Sequence, residues 1–273
     1  MATFELHKSS EIVGRRPVHG TLDFDQETGP AVVEQLVRAE FVCAQGFVQG
    51  RRVLDVGCGT GYTAHYFVRR GGAESVVGLE VDLDLVEDNR AENKDRRIDF
   101  KSYDGGRFPF PANAFDVVTC FEVIEHVSPH VQRHLLGEIA RVVRPSGLAV
   151  VSTPYRPVYS PDGVSLNPDH ISELDDLELR TLCDSSFGNV TLHGQRLVDA
   201  ESFEARQRHH RRVHSPLGTL LRRVGVRPLV RYARSLRSTP SFKQVLGRFR
   251  IASGIDDRSL VQLAICRQPQ ART

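Results

Sequence analysis

The sequence has few cysteines and no long apolar run, and each absence excludes a class of protein. Its five cysteines are scattered singly along the chain, and no Cys-x-x-Cys pair is present. This pattern is typical of reduced intracellular thiols and argues against zinc-ribbon and dithiol redox motifs. No apolar stretch approaches the roughly 18 residues of a membrane span. Because the N-terminus also lacks the apolar core of a signal peptide, we expect a cytoplasmic protein.

Lysine is scarce as well, and the charge of the chain is distributed unevenly. The 36 basic residues include only four lysines, and the formal net charge is +2. Between residues 203 and 250, 13 basic residues stand against a single acid, Glu204, which gives this segment a net charge of +12. The rest of the chain must then carry −10. The sequence therefore predicts an acidic body that carries one basic segment.

One stretch, residues 53–62 (VLDVGCGTGY), combines three features of a ligand-binding turn. A short apolar run predicts a buried strand, glycines follow at Gly57, Gly59 and Gly61, and helical spacing resumes at Tyr62. Glycines allow the backbone to approach a ligand closely, and a helix N-terminus offers free N–H groups. We therefore predict a strand–turn–helix unit that binds a nucleotide-like ligand.

The spacing of these glycines distinguishes between two classes of ligand. The dinucleotide-binding pattern G-x-G-x-x-G would need glycine at position 62, where the chain has Tyr62. The observed G-x-G-x-G string, preceded by Asp55, resembles the first motif of class I S-adenosylmethionine (SAM)-dependent methyltransferases; a simple tight turn is the alternative. The resemblance implies that Asp55 helps to hold the amino end of SAM and that the loop packs against its methionine part. The loop residues implied are Gly57, Cys58, Gly59 and Gly61.

Acidic residues after the second and third predicted strands extend this resemblance. Strand 75–82 carries Glu80 near its end, where family members commonly hold the ribose with an acid; a carboxylate can accept two hydrogen bonds from a vicinal diol. Asp82 is predicted to cap the helix that follows. After strand 98–102, Asp104 matches the family's adenine-binding aspartate, although an ordinary turn aspartate is the alternative. The predicted cofactor-binding set is completed by Val81, Gly105 and Phe121.

An acid–histidine cluster follows the fourth predicted strand. Glu122, Glu125 and His126 stand at i, i+3 and i+4, so one helical turn would point all three the same way. Two carboxylates and an imidazole suit a divalent ion such as Mg2+. The E-x-x-E-H string resembles the O-methyltransferases of ubiquinone biosynthesis and the terminal 2′-O-methyltransferases of small RNAs; the RNA enzymes imply that a downstream histidine, here His170, completes a metal site. The competing prediction is that His126 or His170 acts as a general base without metal.

The resemblance implies an α/β fold, a Rossmann-like seven-stranded mixed sheet flanked by helices, with an α-helical insertion before the last strand. We predict an N-terminal arm and helix over residues 1–48 and a SAM-binding core over 49–200. These are followed by a basic helical insertion over 201–257 and by a last strand with a tail over 258–273.

The predicted acceptor depends on a further resemblance. The string N-P-x-H-x-x-E around His170 resembles methyltransferases of bacterial polysaccharide and glycoside pathways, which implies a hydroxyl of a saccharide or glycosylated natural product as the acceptor. RNA 3′-terminal 2′-O-methylation and a SAM-binding scaffold without catalysis are the alternatives.

The basic insertion admits three interpretations. Its short amphipathic stretches can cap the acceptor site or form a homodimer contact, with their arginines solvated or paired with the acidic body. They can also bind an anionic acceptor such as a phosphorylated sugar. The third interpretation is contact with a membrane surface or with nucleic acid. Single-stranded RNA is disfavoured because aromatic residues are few in this segment and show no stacking pattern.

Overall fold

The computed structural model describes residues 30–165, 167–198 and 247–270. The N-terminal arm and most of the predicted basic insertion lie outside the described residues. The interpretations of that insertion, including a dimer contact and a membrane contact, therefore stay predictions, and so do the domain boundaries. Within the described ranges, no helix is long and apolar enough to cross a membrane.

Strands and helices alternate along most of the described chain. The strands are β1 (Arg52–Val56), β2 (Ser75–Glu80), β3 (Ile98–Ser102), β4 (Phe115–Phe121), β5 (Val143–Pro154), β6 (Phe187–Leu197), β7 (Phe249–Ser253) and β8 (Ser259–Pro269). The helices are α1 (Pro30–Ala44), α2 (Tyr62–Arg69), α3 (Leu83–Glu92), α4 (Pro129–Val142), α5 (Arg156–Tyr159) and α6 (Asp176–Asp184), and a 3-10 turn covers Ile124–His126.

The eight strands of the described residues form one mixed sheet in the order β3-β2-β1-β4-β5-β8-β6-β7. Strands β1 to β5 are parallel to one another, whereas β8 runs antiparallel between β5 and β6. The predicted Rossmann-like mixed sheet is confirmed, including the antiparallel last strand. The strand order reverses between β1 and β4, and in open α/β sheets ligands bind beyond the carboxyl ends of the strands at such a point.

The sheet has one more strand than the seven expected. Strand β7 extends the edge by pairing with β6, from Gly194 opposite Ala252 to Leu197 opposite Phe249. These residues were expected in the helical insertion because arginines dominate the surrounding sequence. Phe249 and Ile251, which are two residues apart on β7, pack against the hydrophobic core. This spacing of apolar residues, two rather than three or four, is the sequence pattern that indicates a strand here.

The core consists of two apolar layers, one on each face of the sheet. Alternate residues of a strand point to opposite faces, and Val53 accordingly joins one layer while Leu54 and Val56 join the other. The first layer includes residues of α1 and α2, and the second includes residues of α4 and α6. Because both faces of β1 are covered, its carboxyl end is held rigidly at the point where the glycine loop begins.

Two helix starts follow directly from the sequence. Asp82 caps α3, its side chain accepting hydrogen bonds from the amides of Asp84 and Leu85, as predicted. Ser128 precedes α4 with Pro129 in the first turn, where proline needs no N–H donor. Both helices thus begin just beyond the strand ends that carry the predicted site residues.

Candidate active site

The glycine loop between β1 and α2 adopts a backbone that other residues rarely adopt. Gly57, Gly59 and Gly61 have φ values of 68°, 51° and 79°. A Cβ at Gly57 would collide with the Val123 side chain, and one at Gly61 would lie 2.8 Å from the Phe100 ring. By contrast, nothing lies within 4 Å of a Cβ built at Gly59. Side chains therefore pack closely against Gly57 and Gly61, whereas the space beside Gly59 is open.

Asp55 is buried near the end of β1, and only one of its two carboxyl oxygens has a hydrogen-bond partner within the part of the chain that the structure describes. Its Oδ1 accepts a hydrogen bond of 2.7 Å from the Thr119 hydroxyl, while Oδ2 has no partner among the described residues. Burial raises the pKa of Asp55 to about 7; the charge of Glu80 adds to the rise and the Thr119 bond opposes it. A buried acceptor without a donor fits a ligand that brings its own donor, as the amino group of SAM would.

Glu80 joins the end of β2 to the glycine loop. One carboxylate oxygen accepts from the Gly59 amide at 2.9 Å, and the other accepts from the amides of Val81 and Asp82 at 2.8 and 3.3 Å. Burial raises the pKa of Glu80, and these three donors oppose the rise. On the other side of the loop, Asn89 donates to the Gly59 carbonyl at 2.7 Å. Both ends of the Gly59 backbone are thereby fixed.

The remaining predicted cofactor residues lie at or just beyond the carboxyl ends of β1, β3 and β4, in different environments. Cys58 is buried, and its sulfur lies so close to Gly78 that a Cβ there would meet it at 2.7 Å. Its thiol thus faces the sheet, which leaves its backbone for a ligand. Asp104 is exposed and accepts from the Gly106 amide at 3.0 Å, a turn contact that leaves its second oxygen available. Gly105 and Phe121 are buried.

Glu122 has a strained backbone at the start of the acidic cluster. Its φ is 56°, a left-handed conformation that is rare for residues with a side chain. Its carboxylate accepts from the Ser152 hydroxyl at 2.8 Å and lies 4.0 Å from the Arg38 guanidinium. Only a 3-10 turn follows, so Glu122 does not share one α-helical turn with Glu125 and His126. Strain of this kind is found often at functional sites.

Arg38 is a buried cation that sequence reasoning missed. It extends from α1, is 2% exposed, donates to Gln195 Oε1 at 3.2 Å and lies over the Phe121 ring at 6.0 Å. Its Nε and the Gln195 amide nitrogen have no partner among the described residues. In the sequence, the one indication of a buried Arg38 is that a basic residue stands within the largely apolar stretch LVRAEFV.

Glu125 is fully buried and links the cluster to the segment that follows β5. Its side chain accepts from the Thr153 hydroxyl at 3.0 Å, and its other oxygen has no partner among the described residues. Its backbone carbonyl accepts from the amides of Ile171 and Ser172 at 2.8 and 3.0 Å. Burial raises the pKa of Glu125 well above its usual value, and the charge of Glu122 adds to this. Burial therefore favours the protonated form of Glu125, and a bound cation would favour its ionised form.

Two imidazoles meet beside Glu125. The rings of His126 and His170 pack edge to face with centroids 4.8 Å apart. His126 Nδ1 lies 3.0 Å from the Asp169 carbonyl, an acceptor, so Nδ1 carries the hydrogen and Nε2 carries the lone pair. Burial lowers the pKa of His126, and nearby His170 lowers it further. His126 is thus a neutral base at pH 7.

The structure brings three of the four predicted metal ligands together. One potential ligand atom from each of Glu125, His126 and His170 lies within 4.8 Å of the other two. The group does not include Glu122, which contacts Ser152 and lies near Arg38 instead. Two imidazole nitrogens and a carboxyl group are a donor set for a divalent ion, and a lone pair on an imidazole can also accept a proton.

Residues 167–175, here called the His170 loop, are fastened at several points. The Arg156 guanidinium donates to the Glu173 carbonyl and to Asp175, at 3.0 and 2.8 Å, and forms an ion pair with Glu178 at 2.8 Å. Gln262 of β8 donates to the Leu174 carbonyl at 2.8 Å. The position of His170 therefore depends on residues far away in the sequence, and the motif alone did not reveal these anchors.

Comparison with known proteins finds similarity in the part of the chain that contains the glycine loop. Residues 53–147 match the sequence model of a methyltransferase domain. A probable SAM-dependent methyltransferase of Mycolicibacterium smegmatis is 36% identical over 159 residues, which cover 56% of this chain and 60% of that protein. A ubiquinone biosynthesis O-methyltransferase of Coxiella burnetii is 32% identical over 117 residues, covering 43% of this chain and 49% of that protein.

A solved structure supports the fold over a longer range. A SAM-dependent methyltransferase from Archaeoglobus fulgidus superposes with a TM-score of 0.54 at 15% identity, covering 87% of this chain and 94% of that one. The chain spans about three fifths of the length of the mycobacterial relative and about half of the Coxiella relative. Residues 53–147 thus match a methyltransferase domain in sequence, and the chain shares the fold of a solved SAM-dependent methyltransferase.

Proposed function

We propose that this chain transfers the methyl group of SAM to a hydroxyl oxygen, with a saccharide or glycosylated natural product as the acceptor. The observation that carries the proposal is the meeting of His126 and His170 beyond the carboxyl ends of β4 and β5. Imidazoles at that place can accept the hydrogen of a hydroxyl. The similarity to a ubiquinone biosynthesis O-methyltransferase supports an oxygen acceptor.

The residues around the glycine loop fit the methyl donor. When bound, SAM supplies an electrophilic methyl group on a sulfonium. The free Oδ2 of Asp55 is placed to accept from an ammonium group, and the open face of Gly59 leaves room for the ligand against the backbone. Glu80 keeps one free acceptor position for a ribose hydroxyl, on the oxygen that accepts only from the Gly59 amide, because each carboxylate oxygen can accept two bonds. Asp104 offers its second oxygen to an amino group.

The residues of the acceptor side hold and deprotonate the hydroxyl. His126, neutral because burial lowers its pKa, can accept the proton on Nε2. In-line transfer requires the attacking oxygen at about 3 Å from the methyl carbon, so the orientation of the hydroxyl contributes as much as its deprotonation. We assign that orientation to the anchored His170 loop.

Transfer of labelled methyl from SAM tests this proposal. We expect label in oligosaccharides, and in neither phenols nor small RNAs with a free 3′ end. His126→Asn and His170→Asn should lower transfer by about 100-fold or more, the usual contribution of a general base. His130→Asn, which changes an exposed histidine on α4, is the matched control. SAM binding without transfer to any acceptor would instead indicate a non-catalytic scaffold, and labelled RNA would indicate the 2′-O-methyltransferase.

A second candidate mechanism uses a divalent ion, and the grouping of Glu125, His126 and His170 favours it. Glu125, His126 and His170 would hold the ion, and Mg2+ bound there would lower the pKa of the acceptor hydroxyl. Loss of transfer in EDTA and its recovery with Mg2+ would support this mechanism. Full activity in EDTA would leave the histidine-base mechanism.

A further inference from the structure

Glu173 is a buried acid that contacts one of the two imidazoles. Its carboxylate lies 2.7 Å from His170 Nδ1, and both side chains are only 6% exposed. The same oxygen, Oε1, accepts from the Ser165 hydroxyl at 2.6 Å. Burial alone would raise the pKa of Glu173, yet the contacts with His170, Ser160 and Ser165 together hold it below its usual value. Two donors, the His170 ring and the Ser165 hydroxyl, converge on one buried oxygen, which is the environment of an ionised carboxylate.

An ionised carboxylate can only accept, and this determines the tautomer of its partner. The hydrogen of neutral His170 must lie on Nδ1, which leaves the lone pair on Nε2. The orientation of the ring is restricted further by Tyr159, which stacks on it at 5.5 Å and 29°, and by the edge-to-face contact with His126. Without an acceptor at Nδ1, the imidazole could also place its hydrogen on Nε2 and would then offer no lone pair there.

We propose that Glu173 is a positioning residue that fixes His170 in the Nδ1–H tautomer and so keeps its Nε2 free to accept the hydrogen of the acceptor hydroxyl. This role rests on the proposed transfer to a hydroxyl. The carboxylate itself does not touch the reacting atoms and acts on them only through His170, just as the aspartate of a serine protease acts through the histidine that it orients. The same contact would orient His170 if it bound a metal ion.

Glu173→Gln is the informative change because it retains the size of the side chain while adding a donor that permits the other tautomer. We expect kcat to fall about 10- to 100-fold, the range typical for removal of such a partner, with an unchanged KM for SAM. Ser165→Ala is the matched control, since it removes the other bond to Glu173 Oε1 without touching His170. It should change kcat by less than about twofold.

Two further measurements separate positioning from a merely structural role. In the double variant His170→Asn/Glu173→Gln, the loss of kcat should equal that of His170→Asn alone, because Glu173 acts only through His170. The 15N spectrum of histidine-labelled full-length protein should show His170 as the Nδ1–H tautomer in the wild type and as a tautomer mixture in Glu173→Gln.

The outcomes that overturn the proposal are equally definite. Equal losses in Glu173→Gln and Ser165→Ala, or additive losses in the double variant, would assign Glu173 a role in folding the loop. An unchanged His170 tautomer in Glu173→Gln would also refute the positioning role. The spectrum needs no acceptor, so this test stays valid if wild-type protein transfers no methyl group, which is the result that would refute the proposed function.

Discussion

Thr119 donates a hydrogen bond of 2.7 Å to Asp55, and this is the one bond that the described residues provide to this buried carboxyl group. The two residues are adjacent in the sheet, where Asp55 of β1 is opposite Thr119 of β4. The bond orients Oδ1 and leaves Oδ2 open. Apo protein therefore keeps a buried group that is better suited to binding a cation than to stabilising the fold.

Asp55→Asn should stabilise the apo protein. Burial raises the pKa of Asp55 from 3.8 to about 7, so between these pH values the folded protein holds a proton that the unfolded chain has lost. Ionisation therefore lowers the free energy of unfolding progressively from about pH 4 to about pH 7 and no further above that. We expect Asp55→Asn to raise the free energy of unfolding by on the order of 4 kcal/mol at pH 8, and by less toward pH 4.

The same change should weaken SAM binding. An amide lacks the charge that attracts an ammonium group, and a hydrogen bond to a charged group contributes enough for a loss of on the order of 10- to 100-fold in affinity. Calorimetry measures the affinity, and urea unfolding at pH 5 and pH 8 measures the stability. Asp99→Asn, which changes an exposed aspartate of β3, is the control. Equal stability changes in the two variants would contradict the buried-charge explanation.

Gly59→Ala should affect ligand binding far more than Gly46→Ala. Both glycines have positive φ, 51° and 69°, and a Cβ at either position meets nothing within 4 Å. Each substitution should therefore cost about 1 kcal/mol of stability from backbone strain alone. At Gly59 the added methyl occupies the open face of the loop, so the SAM affinity should fall at least tenfold. Similar SAM affinities in both variants would show that the ligand does not approach Gly59.

Arg156→Met should loosen the His170 loop without affecting the glycine loop. It removes two ion pairs and a bond to the Glu173 carbonyl. We expect the amides of Ile171 and Ser172 to exchange hydrogen about tenfold faster, as loss of roughly 1.4 kcal/mol implies, with SAM affinity unchanged. Arg144→Met is matched in exposure, 39% against 38%, and removes an ion pair with Asp116. Faster exchange of the loop in both variants would exclude a specific role for Arg156.

Glu125→Gln distinguishes a protonated acid from a metal ligand. Burial raises the pKa of Glu125, so an amide that keeps the Thr153 bond should leave the melting temperature at pH 7 unchanged or higher. If the group binds Mg2+, saturating ion will raise the melting temperature of the wild type and not that of Glu125→Gln. A calorimetric scan with and without Mg2+ measures both effects. A marked loss of stability in the apo variant would show that Glu125 is ionised.

Local patterns were sufficient to predict much of the fold and the donor side of the site. The strand–glycine–helix unit at residues 53–62, the acid at the end of β2 and the Asp82 cap all depend on neighbours within a few residues. The predicted strands at 98–102 and at the end of the chain are confirmed for the same reason: Ile98 and Phe100 alternate with polar residues, and the last strand carries the largely apolar run LVQLAIC. The roles assigned to the site residues stay predictions.

The acceptor side depended on contacts that no local pattern encodes. Arg38 is buried against Gln195, 157 residues away, and a periodicity analysis treats both as surface residues. The left-handed backbone of Glu122 is imposed by its surroundings and violates the preference of its own residue type. Glu173 belonged to a quoted motif, yet its role became visible only when His170 Nδ1 was found beside it.

The position of β8 has a consequence for the order in which the protein can mature. This strand lies between β5 and β6, and its Gln262 binds the Leu174 carbonyl 88 residues earlier in the chain. A ribosome that adds roughly 5–20 residues per second therefore exposes the histidine-bearing segment for on the order of ten seconds before its Gln262 anchor exists. During translation the glycine loop can fold first, so the donor side of the candidate site can form before the His170 loop has all of its anchors.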